Sequence, residues 1–146
     1  VRAKQDTVID ASFVVPLIAD ALGPSTRVAH ARAALREAGA LVAPSLIVFE
    51  LINAIRVGVR AKLMTEAEAG ESLVDAFDLC IHIEPAPDIA VSLRIAELAE
   101  AHRLSASDAS YLELAIRTKA LLATFDASLI KAAKAEGVAL ASPGAN

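Results

Sequence analysis

Four acidic side chains occur where the surrounding pattern calls for apolar residues: Asp10, Glu50, Asp108 and Asp126. Glu50 is the most telling of them. It sits in Pro44-Ser45-Leu46-Ile47-Val48-Phe49-Glu50-Leu51-Ile52-Asn53-Ala54-Ile55, a run that is apolar on nearly every helical face, and such a helix is buried on most sides. A carboxylate taken out of water costs several kcal/mol unless something compensates it. A bound cation is the direct compensation. Clustered carboxylates repel and raise one another's pKa unless a hard cation holds them, and oxygen-only ligands suit Mg²⁺ or Mn²⁺. Such an ion lowers the pKa of bound water, so a cluster of acids that needs a cation is a candidate catalytic site. His30, His82 and His102 are scattered and form no zinc spacing with Cys80.

Each acid also has an ordinary structural role. Asp10 ends an apolar run and can N-cap a helix beginning at Ser12, and Asp126 can do the same before Ala127–Ala135. Asp108 falls in a first helical turn, where the helix dipole favours negative charge. Glu50 can snorkel or pair with a cation. It is the joint set that points to a metal site. Glu113 follows Asp108 by five residues and faces another side of its helix. Arg56, Arg60 and Lys62 extend the Glu50 helix, either to grip phosphates or as a solvated face, and Arg103, Arg117, Lys119, Lys131 and Lys134 have the same two readings. Cys80 reads as a small core residue.

The elements that must position these acids alternate short β-like runs with longer helical ones. Strands are expected at Thr7–Ile9, Ala40–Ala43, Cys80–Ile83, Ala120–Thr124 and Val138–Leu140. Helices are expected at Ser12–Ala21, Ser25–Ala38 (Ser25 as cap, Gly39 as stop), Pro44 to about Lys62, Thr65–Asp78 with a capping box, Asp88–Ala101, Ser107–Thr118 with Ser107 as cap, and Asp126–Ala135. This alternation predicts an α/β domain with a mainly parallel sheet. Such sheets bind ligands beyond the carboxyl ends of their strands, where Asp10 and Asp126 lie.

The chain of 146 residues suits one domain over 1–146. Its hydrophobic content of 55% and mean hydropathy of +0.52 leave apolar surface for an interface with another chain. A net charge of −4 excludes the basic footprint of a generic nucleic-acid binder. Positive charge toward nucleic acid would have to be local or supplied by metal. With no Trp, one Tyr and four Phe, base stacking does not dominate any contact with RNA or DNA. One cysteine excludes an internal disulfide and fits the cytoplasm. The apolar stretch Val8–Leu22 contains Asp10, Pro16 and Asp20 and is neither a signal core nor a membrane span.

Val8-Ile9-Asp10-Ala11-Ser12, Pro44 to Asn53 around Phe49-Glu50-Leu51, Ser107-Asp108-Ala109-Ser110-Tyr111-Leu112-Glu113-Leu114-Ala115 and Leu122-Ala123-Thr124-Phe125-Asp126 resemble the successive motifs of PIN domains. They resemble most the VapC-type ribonuclease toxins of bacterial toxin–antitoxin pairs, in order and over essentially the whole chain. The resemblance implies a three-layer α/β/α domain that cleaves RNA with Mg²⁺ or Mn²⁺. It places the family's acids at Asp10, Glu50, Asp108 and Asp126, its small hydroxyl residues at Ser12 and Thr124, and its helix asparagine at Asn53. Asp10, Asp108 and Asp126 would hold the ion most directly. Glu50 would bind a second ion or orient the attacking water. Ser12, Asn53 and Thr124 would hold carboxylates or a phosphate in place, while capping and turn bonding account equally well for Ser12 and Thr124. Some relatives carry another acid after the last motif, where this chain has Ala127-Ser128-Leu129. The implied partners are an RNA substrate, a cognate antitoxin and a second copy of the chain in a homodimer.

Two other classes stay open from sequence. One is an acidic-pocket phosphotransfer or receiver-like protein with Asp10 as phosphoryl acceptor. Against it, Asp10-Ala11-Ser12 lacks an Asp-x-Asp arrangement. The other is a non-catalytic PIN-like binding module.

Overall fold

The computed structural model describes residues 3–141. Its sheet is built from four short parallel strands: β1 (Thr7–Ile9), β2 (Leu41–Pro44), β3 (His82–Glu84) and β4 (Leu121–Ala123), in the order β3-β2-β1-β4. β1 pairs with β2 through Thr7↔Leu41 and Val8↔Val42, and with β4 through Thr7↔Leu121, Val8↔Leu122 and Ile9↔Ala123. Val8, Ile9, Val42, Ala43, Leu122 and Ala123 are all buried. Apolar runs without alternation are what a parallel sheet covered on both faces requires.

Seven helices supply the crossovers and the outer layers: α1 (Ala11–Ile18), α2 (Ser25–Glu37), α3 (Ile47–Arg60), α4 (Glu66–Asp78), α5 (Ile89–His102), α6 (Ala106–Thr118) and α7 (Ala127–Ala135). α1 packs with α2, α3 and α4, while α6 lies on β1, β2 and β4 and touches α5 and α7. The result is the expected three-layer α/β/α arrangement. Successive strands add outward from β1 to β2 and β3, and the chain then returns to place β4 on the other side of β1. The crevice between the carboxyl ends of β1 and β4 is therefore the topological switch point, the usual ligand position in open α/β sheets. Among the described residues no helix is long and apolar enough to cross a membrane.

Several expected boundaries shift for identifiable reasons. α1 begins at Ala11, encloses Pro16 and ends at Ile18, and a 3₁₀ turn at Asp20–Leu22 follows; proline inside a helix removes one backbone donor and crowds the preceding turn. α2 is preceded by Pro24 and no side chain caps it, so Ser25 is its first residue and not its cap. Pro44 closes β2 instead of opening α3, which starts at Ile47 after a turn. Ser105, not Ser107, caps α6, because its Oγ accepts from the Asp108 backbone N–H at 3.1 Å. The Thr65 capping box and the Asp88 cap form as expected.

Cys80 corrects the expectation of a core strand residue: it is exposed, with a left-handed φ of 54°, and the strand starts only at His82. The last expected strand, Val138–Leu140, shrinks to a single bridge between Leu122 and Leu140. Gly39 stops α2, but its need for glycine is steric. A Cβ there would lie 2.9 Å from Asp6 Oδ1 and 3.0 Å from the Lys4 carbonyl oxygen.

Candidate active site

The switch point is organised around Asp10, which leaves β1 and caps α1. Its backbone N–H donates to the Ala123 carbonyl at 3.1 Å, which anchors the turn to β4. Oδ1 accepts from the Phe13 N–H at 3.1 Å and from the Ser12 hydroxyl at 2.6 Å. Oδ2 accepts from the Thr124 hydroxyl at 2.5 Å. Both hydroxyls are themselves acceptors. Ser12 Oγ receives the Phe125 N–H at 2.9 Å, and Thr124 Oγ1 receives the Asp126 N–H at 3.0 Å. One carboxylate thus fixes the turn after β1 to the turn after β4. The capping role of Asp10 and its place in the site are the same geometry.

Asp10 is only 5% exposed. Burial pushes its carboxyl up to about 6, against the lowering effect of the Ser12, Thr124 and Phe13 bonds, and the Glu50 charge adds to the rise. Glu50, in the first turn of α3, is half-buried and also raised, first by burial and then by the charge of Asp108, while the Tyr111 bond acts in the opposite sense. Asp108 is raised by burial and by the neighbouring charge of Asp126, with the Ser105 bond lowering it. Asp126 is more exposed; it caps α7 by accepting the Leu129 N–H at 2.8 Å. The structure therefore brings the four acids into one chain of neighbouring negative charges, Asp10 to Glu50 to Asp108 to Asp126.

None of the four is in an ion pair with Lys, Arg or His among the described residues. Nor do any three His, Cys, Asp or Glu side chains among these residues close into a ready-made ion cage. These facts define what would fit. A cage of direct ligands suits zinc or calcium, whereas Mg²⁺ keeps several of its waters and takes one or two carboxylates directly. One buried, two half-buried and one exposed carboxylate, none paired with a cation among the described residues, would suit a hard cation that keeps part of its water.

Tyr111, present in the third motif but given no role from sequence, is a direct neighbour of Glu50. It is 1% exposed and its hydroxyl donates to Glu50 Oε1 at 2.5 Å. It stands three residues after Asp108 on α6, hence on the same face. A buried tyrosine in an apolar helix needs a hydrogen-bond partner, and that was its signal. Burial, followed by the Glu50 bond, drives its hydroxyl well above the usual tyrosine range, so it stays a proton donor to Glu50.

Asn53 lies exposed one turn beyond Glu50 and makes no side-chain hydrogen bond among the described residues. Glu113 points away from the crevice as expected. It is 3% exposed and pairs with Arg117 at 2.9 Å and Arg94 at 3.8 Å. Arg56 is paired with Glu66 at 2.5 Å. His102 pairs with Glu136 at 2.6 Å, and His30 sits edge-on to Phe13 and Phe125.

Comparison with known proteins follows this geometry. The family model described as PIN domain matches residues 7–135, which include all four acids. The fold is similar to the crystal structure of PAE2754 from Pyrobaculum aerophilum, at 22% identity and a TM-score of 0.65, covering 88% of this chain and 80% of that one. It is also similar to FitAcB from Neisseria gonorrhoeae, at 18% identity and a TM-score of 0.60, covering 94% of this chain and 97% of that one. Comparison with curated proteins found no match.

Proposed function

The chain belongs to the PIN domain family, whose members are generally nucleases, and from that premise we propose that it is a metal-dependent endoribonuclease, the toxin of a toxin–antitoxin pair. The observation that carries the reading is Asp10: a buried carboxylate, hydrogen-bonded through both oxygens, with no cation beside it among the described residues. An enclosed negative charge without a partner is costly, and its retention calls for a ligand of opposite charge. Although they do not close into a cage here, Asp10, Asp108 and Asp126 would hold Mg²⁺ or Mn²⁺ partly through waters the ion keeps, and the ion would supply an acidified water and neutralise the phosphoryl oxygens.

The chain's own residues do the rest. Tyr111 occupies Oε1 of Glu50, which orients the carboxylate and leaves Oε2 to accept a proton from an attacking water. Ser12 and Thr124 keep both oxygens of Asp10 in place. Asn53, exposed on α3, is assigned to the substrate side. The choice of RNA rests on the resemblance to VapC-type toxins.

An antitoxin and a second copy of the chain would cover the apolar side chains left exposed on α3, α4 and α5, such as Phe49, Val57, Phe77 and Ile89. The single domain is read as a cytoplasmic one. A phosphoryl-acceptor role for Asp10 is opposed by its burial and by hydrogen bonds on both oxygens.

The test is cleavage of labelled RNA with MgCl₂ or MnCl₂ and with EDTA, by the parent chain and by Asp10→Asn and Asp108→Asn. Cleavage that needs the metal and disappears in both variants is expected. Undiminished cleavage by both variants rejects the assignment.

A further inference from the structure

A crevice carrying four acids must still admit a polyanion. A divalent ion offsets only part of that charge, and the chain as a whole is at −4. Phosphates flanking the cleaved bond therefore need a fixed local cation. Arg56, Arg94 and Arg117 are committed to carboxylates; Arg27, like Arg32, Arg36, Arg60, Lys62 and Arg103, has no carboxylate partner among the described residues, and it is the one of these that lies beside Ser12.

Arg27 is nevertheless held in place. Its guanidinium carbon lies 5.1 Å from the centroid of Phe125. That ring stacks on Phe13 at 4.6 Å and 19°, and His30 meets both rings edge-on. Phe125 stands between Thr124 and Asp126, and its N–H is bonded to Ser12 Oγ. The cation is thus seated on the residue that links two parts of the site. The contact with the ring holds the guanidinium in place without using its N–H donors as a carboxylate pair would, and the guanidinium fork matches phosphate oxygens.

Beside it is a cavity of about 190 Å³ lined by Ala11, Ser12, Leu22, Gly23, Arg27 and Ala54, among others, in which Arg27 is the one charged lining residue. Ser12 connects this cavity to Asp10, and Ala54 lies one turn beyond Glu50 on α3. Helix stability does not account for the arginine. It occupies the first turn of α2, where the dipole disfavours positive charge, and it is exposed.

We infer that Arg27, seated on Phe125, is a phosphate-binding residue that holds a phosphodiester next to the scissile one in the cavity beside Ser12. This rests on the nuclease reading of the site. A phosphodiester fits better than a carboxylate side chain because Arg27 lines the same cavity as Ser12, which is bonded to Asp10 of the proposed phosphate-cleaving site.

The experiment measures fluorescence anisotropy of a short mixed-sequence single-stranded RNA with the full chain carrying Asp10→Asn, in MgCl₂ over a salt series. Arg27→Ala in that background is expected to raise Kd about tenfold and to flatten the log Kd–log salt slope by about 0.7, one phosphate contact on a single strand. Arg27→Lys should restore the slope but not the full affinity, since it keeps the charge and loses the fork. Phe125→Leu should weaken binding with the slope nearly unchanged. Thermal midpoints should match the parent for Arg27→Ala.

Unchanged Kd and slope in Arg27→Ala, with the parent binding RNA, overturns this inference and leaves the nuclease reading standing. An Asp10→Asn background that does not bind RNA overturns this inference, and absence of cleavage with Asp10 intact overturns the nuclease reading as well. An equal loss toward a poly-glutamate peptide shows a general anion site and overturns the phosphodiester assignment.

Discussion

Replacing Asp10 by asparagine should stabilise the metal-free protein at neutral pH. The carboxyl is raised from 3.8 to about 6 chiefly by burial. The folded state therefore holds the proton more tightly than the unfolded chain does. Stability is greatest below the unfolded value and is lost as pH rises through the window from about 4 to 6. The gap of about 2.2 between those values corresponds to about 3 kcal/mol at pH 7. Asparagine removes the ionisation. It also replaces one acceptor oxygen by an amide facing Thr124 or Ser12, whose hydroxyls can turn to accept; roughly 1 kcal/mol is charged to that exchange.

The net gain at pH 7 in EDTA is about 2 kcal/mol, or roughly 5 °C in Tm for a domain of this size. Near pH 4 the gain should vanish and turn into a loss of roughly 0.5 kcal/mol, tending to about 1 kcal/mol below the unfolded value. Magnesium should raise the midpoint of the parent by mass action and leave that of the variant nearly unmoved. Urea and thermal unfolding of both proteins from pH 4 to 8, with EDTA and with MgCl₂, measure all of this. The reasoning is refuted by a variant that is as destabilised at pH 7 in EDTA as it is at pH 4.

Other expectations follow from neighbouring contacts. Tyr111→Phe should leave Glu50 Oε1 without its donor and slow RNA cleavage about 10- to 100-fold; a rate equal to the parent's removes Tyr111 from the site. Glu113→Ala removes a buried carboxylate whose partners Arg117 and Arg94 are partly exposed and can turn to water, so it should cost only about 1 kcal/mol in urea unfolding. The magnesium-dependent shift in midpoint should survive that change, because Glu113 faces away from the crevice. Gly39→Ala forces a Cβ against Asp6 Oδ1 and the Lys4 carbonyl and should cost about 1–3 kcal/mol in the same assay. A neutral alanine would mean that the segment before β1 yields freely.

The strand–helix alternation was legible because both strand and helix signals are local. Val8, Val42 and Leu122 mark strands buried on both faces, and the Thr65–Glu68 capping box is a short-range pattern. Asp10 and Asp126 were readable from their place after strands, since the parallel fold fixes which strand ends share a crevice. What escaped depended on three-dimensional partners. Ser105 and Ser107 are equal candidates until the helix phase is set by packing, and Cys80 lost its strand because the chain turns left-handed there before β3 begins. Val138–Leu140 has strand composition, yet only Leu140 reaches Leu122. Tyr111 and Arg27 gained their meaning from residues far away in sequence, Glu50 and Phe125.

The bond between Thr124 and Asp10 joins positions 114 residues apart. A chain threading out of the ribosome has finished Asp10 and Glu50 long before the final strand and helix exist. Throughout that interval nothing holds the second oxygen of Asp10, and Asp126 is not yet made. A crevice completed by β4 and α7 is therefore unformed in any nascent chain that has not yet reached them.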